Sequence, residues 1–225
     1  MTMKIITNSI VALVLYATVN TASALVINID FAGMANGGTG ESAWDTLSLS
    51  NSAFDLAITA TADSKPAYVY LDRATGGLGV CKTLNTAGIN ELNQTTSSGT
   101  NLCLDSNDDN VTTNEALHFV FSTNVSIDTI WFNNFHDGDM SLLGDKADIG
   151  GAAYTFTNGD SSHPSYTLTP YAILSGPSFD IAYNNEQFYV QAMSIDPPTV
   201  PEPATLALLG LGLVGMAVTR RKHRA

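Results

Sequence analysis

Between its two ends the chain is written in short runs that alternate apolar with polar residues. Residues 25–31, 54–61, 67–71, 117–122 and 127–132 follow a period of two, and 154–157, 166–174, 179–183 and 188–195 continue it. That spacing sends successive side chains to opposite faces of a strand. Aromatic and β-branched residues concentrate in the runs, as a half-buried pleated surface prefers. Asn, Gly, Ser and Asp separate them and favour turns. No stretch of this part carries a helical period. Many short strands with frequent turns predict an all-β fold, a β-sandwich of jelly-roll type. Two segments break the pattern. Residues 33–40 (Gly-Met-Ala-Asn-Gly-Gly-Thr-Gly) read as a flexible loop, and 85–114 is a long stretch rich in Asn, Thr, Ser and Asp. Loops of that length are functional or disordered.

The two ends obey a different rule. Lys4, an apolar stretch over 10–16 and then Ala22-Ser23-Ala24 have the order of a signal peptide with an Ala-x-Ala site. The expected organisation is a signal peptide at 1–24, an ectodomain at 25–199 and a C-terminal signal at 200–225. A Pro-rich linker at 196–199 leads into Val200-Pro201-Glu202-Pro203. An uncharged run over 204–218 follows, and Thr219 leads into Arg220, Arg221, Lys222, His223 and Arg224. As a helix the 15 residues reach about 22 Å. A bilayer core asks for about 20 residues, so the span is short. Snorkelling Arg and Lys stems lengthen it. A soluble packed helix keeps a polar face, and this run has none. It is expected to cross the membrane over 204–219, with Arg220, Arg221, Lys222 and Arg224 as a stop signal on the cytoplasmic side.

Pro-Glu-Pro, a short Gly/Leu-rich apolar helix and a terminal Arg cluster, in that order, resemble the PEP-CTERM sorting signal. That signal belongs to exported proteins of Gram-negative bacteria that make extracellular polysaccharide. The resemblance implies recognition by an exosortase, a membrane-embedded cysteine peptidase, with cleavage near Pro201, Glu202 and Pro203. The two prolines fix φ and push the residues before them into the extended form that a peptidase cleft accepts. Within the tail, Gly210-Leu211-Gly212-Leu213-Val214-Gly215 matches the dinucleotide-binding pattern. It lacks the preceding strand and the βαβ unit which that motif requires. Its glycines suit close helix approach in a membrane instead.

The full chain has a net charge of −12. Between the two end segments only Lys65, Arg73, Lys82 and Lys146 face twenty acidic residues, a formal charge of −16. Nucleic-acid binding, which rests on neutralising phosphates, is excluded. Such a surface suits solubility, divalent cations or a neutral glycan. Cys81 and Cys103 are the two cysteines. In an oxidising compartment a lone pair reads as a disulfide. A reactive or metal-binding pair would want a nearby CxxC or a His ligand set.

Asp105, Asn107 and Asp109, with Glu115 beyond them, offer hard oxygens within a short span, and Ca²⁺ takes six to eight such ligands. An EF-hand begun at Asp105 would need Gly at 110 and Glu at 116, where Asn110 and Ala116 stand. The expectation is a non-helical Ca²⁺ loop, set against a solvated loop of Asx turns. His136, Asp137 and Asp139 admit a metal-ligand reading beside the ordinary Asp-Gly turn. Trp44, Trp131, Tyr68 and Tyr70 are candidates for stacking on sugars, with Trp131 placed in an apolar strand and expected in the core. Gly77-Leu78-Gly79-Val80, the acidic loop at 105–110 and the strand opening Glu115-Ala116-Leu117 resemble an ectodomain pattern common among PEP-CTERM proteins. That pattern is a Gly-Leu-Gly-Val turn, an Asp-rich loop and a Glu-x-Leu strand, and it implies a β-sandwich without known catalytic residues. No G-x-S-x-G, H-E-x-x-H or Cys–His nucleophile pattern occurs.

The expected protein is therefore an exported, non-enzymatic β-sandwich. It passes through an inner-membrane precursor to the cell surface and associates with exopolysaccharide. The alternatives are a secreted glycan-binding or glycan-active protein on the same scaffold, and a membrane-anchored protein that is never cleaved.

Overall fold

Alternation in the sequence becomes strand in the computed structural model, which describes residues 26–73, 76–84, 102–104, 109–133, 142–158, 166–168 and 174–197. They lie within one compact unit, Ala24–Pro198. β1 (Ile27–Asp30) leads into α1 (Phe31–Asn36), β2 (Ser42–Trp44), β3 (Leu47–Ser50), β4 (Asp55–Ala62) and β5 (Lys65–Leu71). Next come β6 (Leu78–Cys81), β7 (Glu115–Asn133), β8 (Lys146–Ile149), β9 (Ala152–Thr155) and β10 (Thr157–Asn158). β11 (Tyr166–Leu168), β12 (Ser175–Tyr183) and β13 (Tyr189–Asp196) complete the order. The all-β class expected from the sequence is what the chain forms.

The first strand stops earlier than alternation suggested, and part of the expected loop at 33–40 is helix. Asp30 has extended backbone, and its carboxylate accepts the Gly33 N–H at 2.7 Å, an N-cap that starts α1. Phe31, Ala32 and Ala35 are thereby buried. Six residues are too few for a helical period to register in the sequence.

β7 is the spine, and it corrects the expectation of two separate strands. Its 19 residues run from Glu115 to Asn133 without a break. Leu117, Phe119, Phe121, Val125 and Ile127 face the core, and then the phase shifts so that Ile130 and Phe132 do. The shift has a local cause. Thr129 lies opposite Ser194 and Ile127 opposite Ile195, so Asp128 is one extra residue, a β-bulge.

The pairings link the strands into one continuous antiparallel network. β7 pairs β4, β4 pairs β5, β5 pairs β6, β6 pairs β13, and β13 returns to β7. The circuit closes because β7 serves β4 and β12 with its first half and β13 and β11 with its second. Inside lies the main core. One aromatic group packs Phe119 on Phe179, stacked at 4.9 Å, with Phe54 edge-on to Phe121 at 5.3 Å. A second joins Phe132, Phe156 and Phe188 with centroids 4.9–5.7 Å apart. Each such pair contributes roughly 0.5–1.5 kcal/mol beyond its buried area.

β4 and β5 form a hairpin through Asp63 and Ser64, both at positive φ (49° and 61°), the left-handed geometry of a two-residue turn. Asn114 compensates for the absent glycine. Its carbonyl accepts the Asp63 N–H at 3.0 Å, and its amide donates to the Asp63 carboxylate at 3.1 Å.

The cap on α1 gives a direct test. Asp30→Ala removes the acceptor for Gly33 and should lower stability by about 1 kcal/mol in urea unfolding, with Asp30→Asn or Asp30→Ser retaining most of it.

Candidate functional site

Gly77-Leu78-Gly79-Val80, expected as a turn, is mostly strand. Leu78 and Val80 point into the main core, which leaves Gly79 on the opposite face. β6 and β13 share one paired position, Leu78 opposite Val190. Beyond it they diverge, and residues 109–111 fill the gap. The Val80 N–H donates to the Asn110 carbonyl at 3.1 Å, and Val111 and Phe188 exchange backbone hydrogen bonds of 2.8 and 3.3 Å. A Cβ on Gly79 would stand 1.9 Å from the Asp109 carbonyl oxygen and 2.8 Å from the Asn110 Cα. Glycine is there because a second backbone lies against it. Gly77, at φ +144°, likewise leaves room for the Val190 carbonyl.

Two carboxylates, Asp109 in this segment and Glu115 at the start of β7, are buried and partnered. Asp109 Oδ1 accepts from the Tyr189 hydroxyl. Glu115 Oε2 accepts the Thr112 N–H at 2.7 Å, and its Oε1 lies 2.8 Å from Lys82 Nζ. The Glu115 side chain is fully buried, so this lysine balances a charge that would otherwise be costly to bury. Two members of the expected Ca²⁺ set, Asp109 and Glu115, thus brace the fold. The other two, Asp105 and Asn107, lie outside the described residues, as do His136, Asp137 and Asp139. Among the described residues no three His, Cys, Asp or Glu side chains gather closely enough to hold a metal ion.

Cys81 and Cys103 are joined as a disulfide, with Cα atoms 5.7 Å apart across a sequence separation of 22. A bridge closing that length stabilises by about 3 kcal/mol in the chain-entropy model. The Leu104 N–H donates to the Thr83 carbonyl at 2.8 Å and holds the return of the loop against the end of β6. Ala43, Tyr68, Tyr70, Leu84 and both cysteines form a second apolar cluster. β5 is therefore covered on both faces, with Ala67, Val69 and Leu71 in the main core and its two tyrosines in the second.

This burial overturns the sugar-stacking expectation for Tyr68 and Tyr70. Tyr68, Tyr70 and Trp131 are buried, Trp131 as expected, and Trp44 packs partly buried against the main core. The Tyr70 hydroxyl donates to Glu41 Oε1 at 2.7 Å, and Arg73 Nε lies 3.8 Å from the other Glu41 oxygen. Burial first, and then the hydrogen bond and charge of Glu41, push the Tyr70 phenol far above the usual tyrosine range. Burial raises Tyr68 as well, with the Asp45 charge adding to it.

β13 ends at Asp196, and the chain then enters its proline-rich tail. Residues 199–222 match the family model of the PEP-CTERM protein-sorting motif. The chain carries a PEP-CTERM sorting signal. Pro201, Glu202, Pro203, Arg220, Arg221 and Lys222 all fall inside the match, and Arg224 stands just past it. The PEP-CTERM motif is the recognition signal for an exosortase and marks an exported precursor. Its residues, and the expected span at 204–219, lie outside the described residues. Among the described residues no helix is long and apolar enough to cross a membrane. Comparison with curated proteins and with solved structures gives no match.

Two measurements test this assembly. Gly79→Ala forces the wedge off β6 and should destabilise by about 3 kcal/mol. Gly38→Ala, where an added Cβ meets nothing within 4 Å, should stay within about 0.5 kcal/mol of the parent. The second concerns pH. The unfolded Tyr70 ionises near 10.0 and the folded one well above it. Its contribution is present in full below that pH and is lost as pH rises. Tyr70→Phe should therefore flatten the alkaline fall in the urea midpoint between about pH 10 and pH 12.

Proposed function

We propose that this is a cell-surface and extracellular-matrix protein. It is made as an inner-membrane precursor, released by exosortase near Pro201, Glu202 and Pro203, and retained in association with exopolysaccharide without turning over a substrate. The sorting motif at 199–222 carries the reading. Its order of extended prolines, apolar run and basic cluster suits a substrate held in the membrane until a peptidase cuts on the outer side. The disulfide fits an oxidising compartment, and a domain of charge −16 suits a hydrated matrix of neutral sugar rather than polyanions. In this reading the chain supplies structure and the tail supplies the address.

The decisive residue is Glu202. Glu202→Ala leaves the apolar run and its basic stop signal untouched, so membrane insertion should persist while cleavage fails. A membrane-bound precursor should accumulate, heavier than the surface form by the tail. The surface form of the parent should begin at Leu25 and lack the basic cluster, as read by intact mass and N-terminal sequencing. Deleting residues 220–224 should instead weaken retention of the precursor. Release of Glu202→Ala as fast as the parent would reduce Pro-Glu-Pro to a linker and leave a simple single-span protein.

A further inference from the structure

The outward face of β4, β7 and β12 carries a grid set by strand register. Thr61 lies opposite Ala116, and Ala116 opposite Ala182. In the adjoining row Thr59 lies opposite His118, and His118 opposite Asp180. The third row runs Ala57, Val120 and Ser178. Within this grid three side chains converge. His118 Nδ1 lies 2.7 Å from Asp180 Oδ1, and His118 Nε2 lies 2.9 Å from Thr61 Oγ1.

The partners assign the tautomer. Ionised Asp180 only accepts, so Nδ1 carries the proton and donates to it. Nε2 then presents its lone pair to the Thr61 hydroxyl, which donates. A carboxylate orienting an imidazole whose other nitrogen faces a hydroxyl is the arrangement that makes a weak oxygen nucleophile reactive. All three residues sit on paired strands, which hold the geometry better than loops do. The asparagine-braced turn at Asp63 and Ser64 lies immediately beyond β4 and fixes where Thr61 falls. Thr61 is half-buried, and its neighbours across the two ladders, Ala116 and Pro66, carry no polar side chain to compete for Oγ1.

We propose that Thr61 is an activated hydroxyl that takes up one acyl group from a small carboxylic ester, an attachment site rather than a centre of turnover. Thr61 Oγ1 bonds to the ester carbonyl carbon as its proton passes to His118 Nε2. The tetrahedral adduct collapses, the bond from carbon to the alcohol oxygen breaks, and the imidazolium returns its proton to the departing alkoxide. The products are acyl-Thr61 and the free alcohol, with no oxidant or reductant required. Asp180 offsets the imidazolium charge while the proton is in transit. This chemistry does not depend on how the tail is processed.

The test uses the full-length purified chain and p-nitrophenyl acetate. Intact mass should show a gain of a single acetyl group, and peptide mapping should place it on Thr61 with an equivalent of p-nitrophenolate released. Thr61→Val should abolish the label and Thr61→Ser retain it. His118→Gln and Asp180→Asn should each slow labelling by about a hundredfold, the order expected for losing a positioned general base. Thr59→Ala, beside the cluster but outside the relay, should label at the parent rate. Melting curves confirm that each variant is folded. Acetylation confined to lysines or the N-terminus, or labelling of Thr61 that is indifferent to His118 and Asp180, overturns the proposal and leaves two ordinary hydrogen bonds.

Discussion

Everything on one side of the molecule depends on residues 109–111 lying between two strands that part company. β6 and β13 start as neighbours and separate after one pair, which would leave buried backbone groups unpaired in the gap. The inserted segment satisfies them on both sides, through Val80 and through Phe188. The insertion works only because Gly79 has no side chain. Two acids taken out of water pin the segment and the start of β7 after it, Asp109 by a tyrosine hydroxyl and Glu115 by a lysine and a backbone amide. Of four cations in an ectodomain rich in acid, one is spent internally. The disulfide then ties the far end of β6 to the chain approaching the wedge, so a long polar stretch begins and ends at fixed points.

How legible this was follows from range. Runs whose neighbours in sequence decide their faces, such as β4, β5, β12 and β13, could be read to within a few residues. β7 was read as two strands because Ser122, Thr123 and Asn124 look like turn residues; among the described residues no strand pairs with them, yet β7 stays extended through them and changes partners there. The bulge at Asp128 shifted the phase of alternation, and only pairing with β13 reveals that. β6 was hidden because its glycines signal a turn in isolation. Their real cause, a second backbone arriving from thirty residues onward, has no local trace.

The functional residues divide the same way. The sorting signal is a contiguous motif read by another protein in an extended or helical form, so its order alone identifies it. Asp109 and Glu115 were legible as oxygen-rich and misleading as to use, since sequence does not reveal that Tyr189 and Lys82 reach them first. The tyrosines of β5 looked like surface aromatics because alternation predicts one covered face, and here Ala43, Leu84 and the disulfide cover the other. Thr61, His118 and Asp180 escaped notice altogether. They stand 57 and 62 residues apart along the chain and meet only through register across three strands.

The closed circuit of pairings bears on what happens when the tail is pulled. β13 is the last strand before the sorting segment, and it is paired on both edges, with β7 on one and with β1 and β6 on the other. A load applied through Asp196 runs along the axis of β13. Its hydrogen bonds lie across that direction, so they must slide together rather than open one after another like a zipper. In the membrane-held precursor proposed above, a pull on the tail against the body of the domain would load the β13–β7 ladder in shear, the direction in which a ladder yields last.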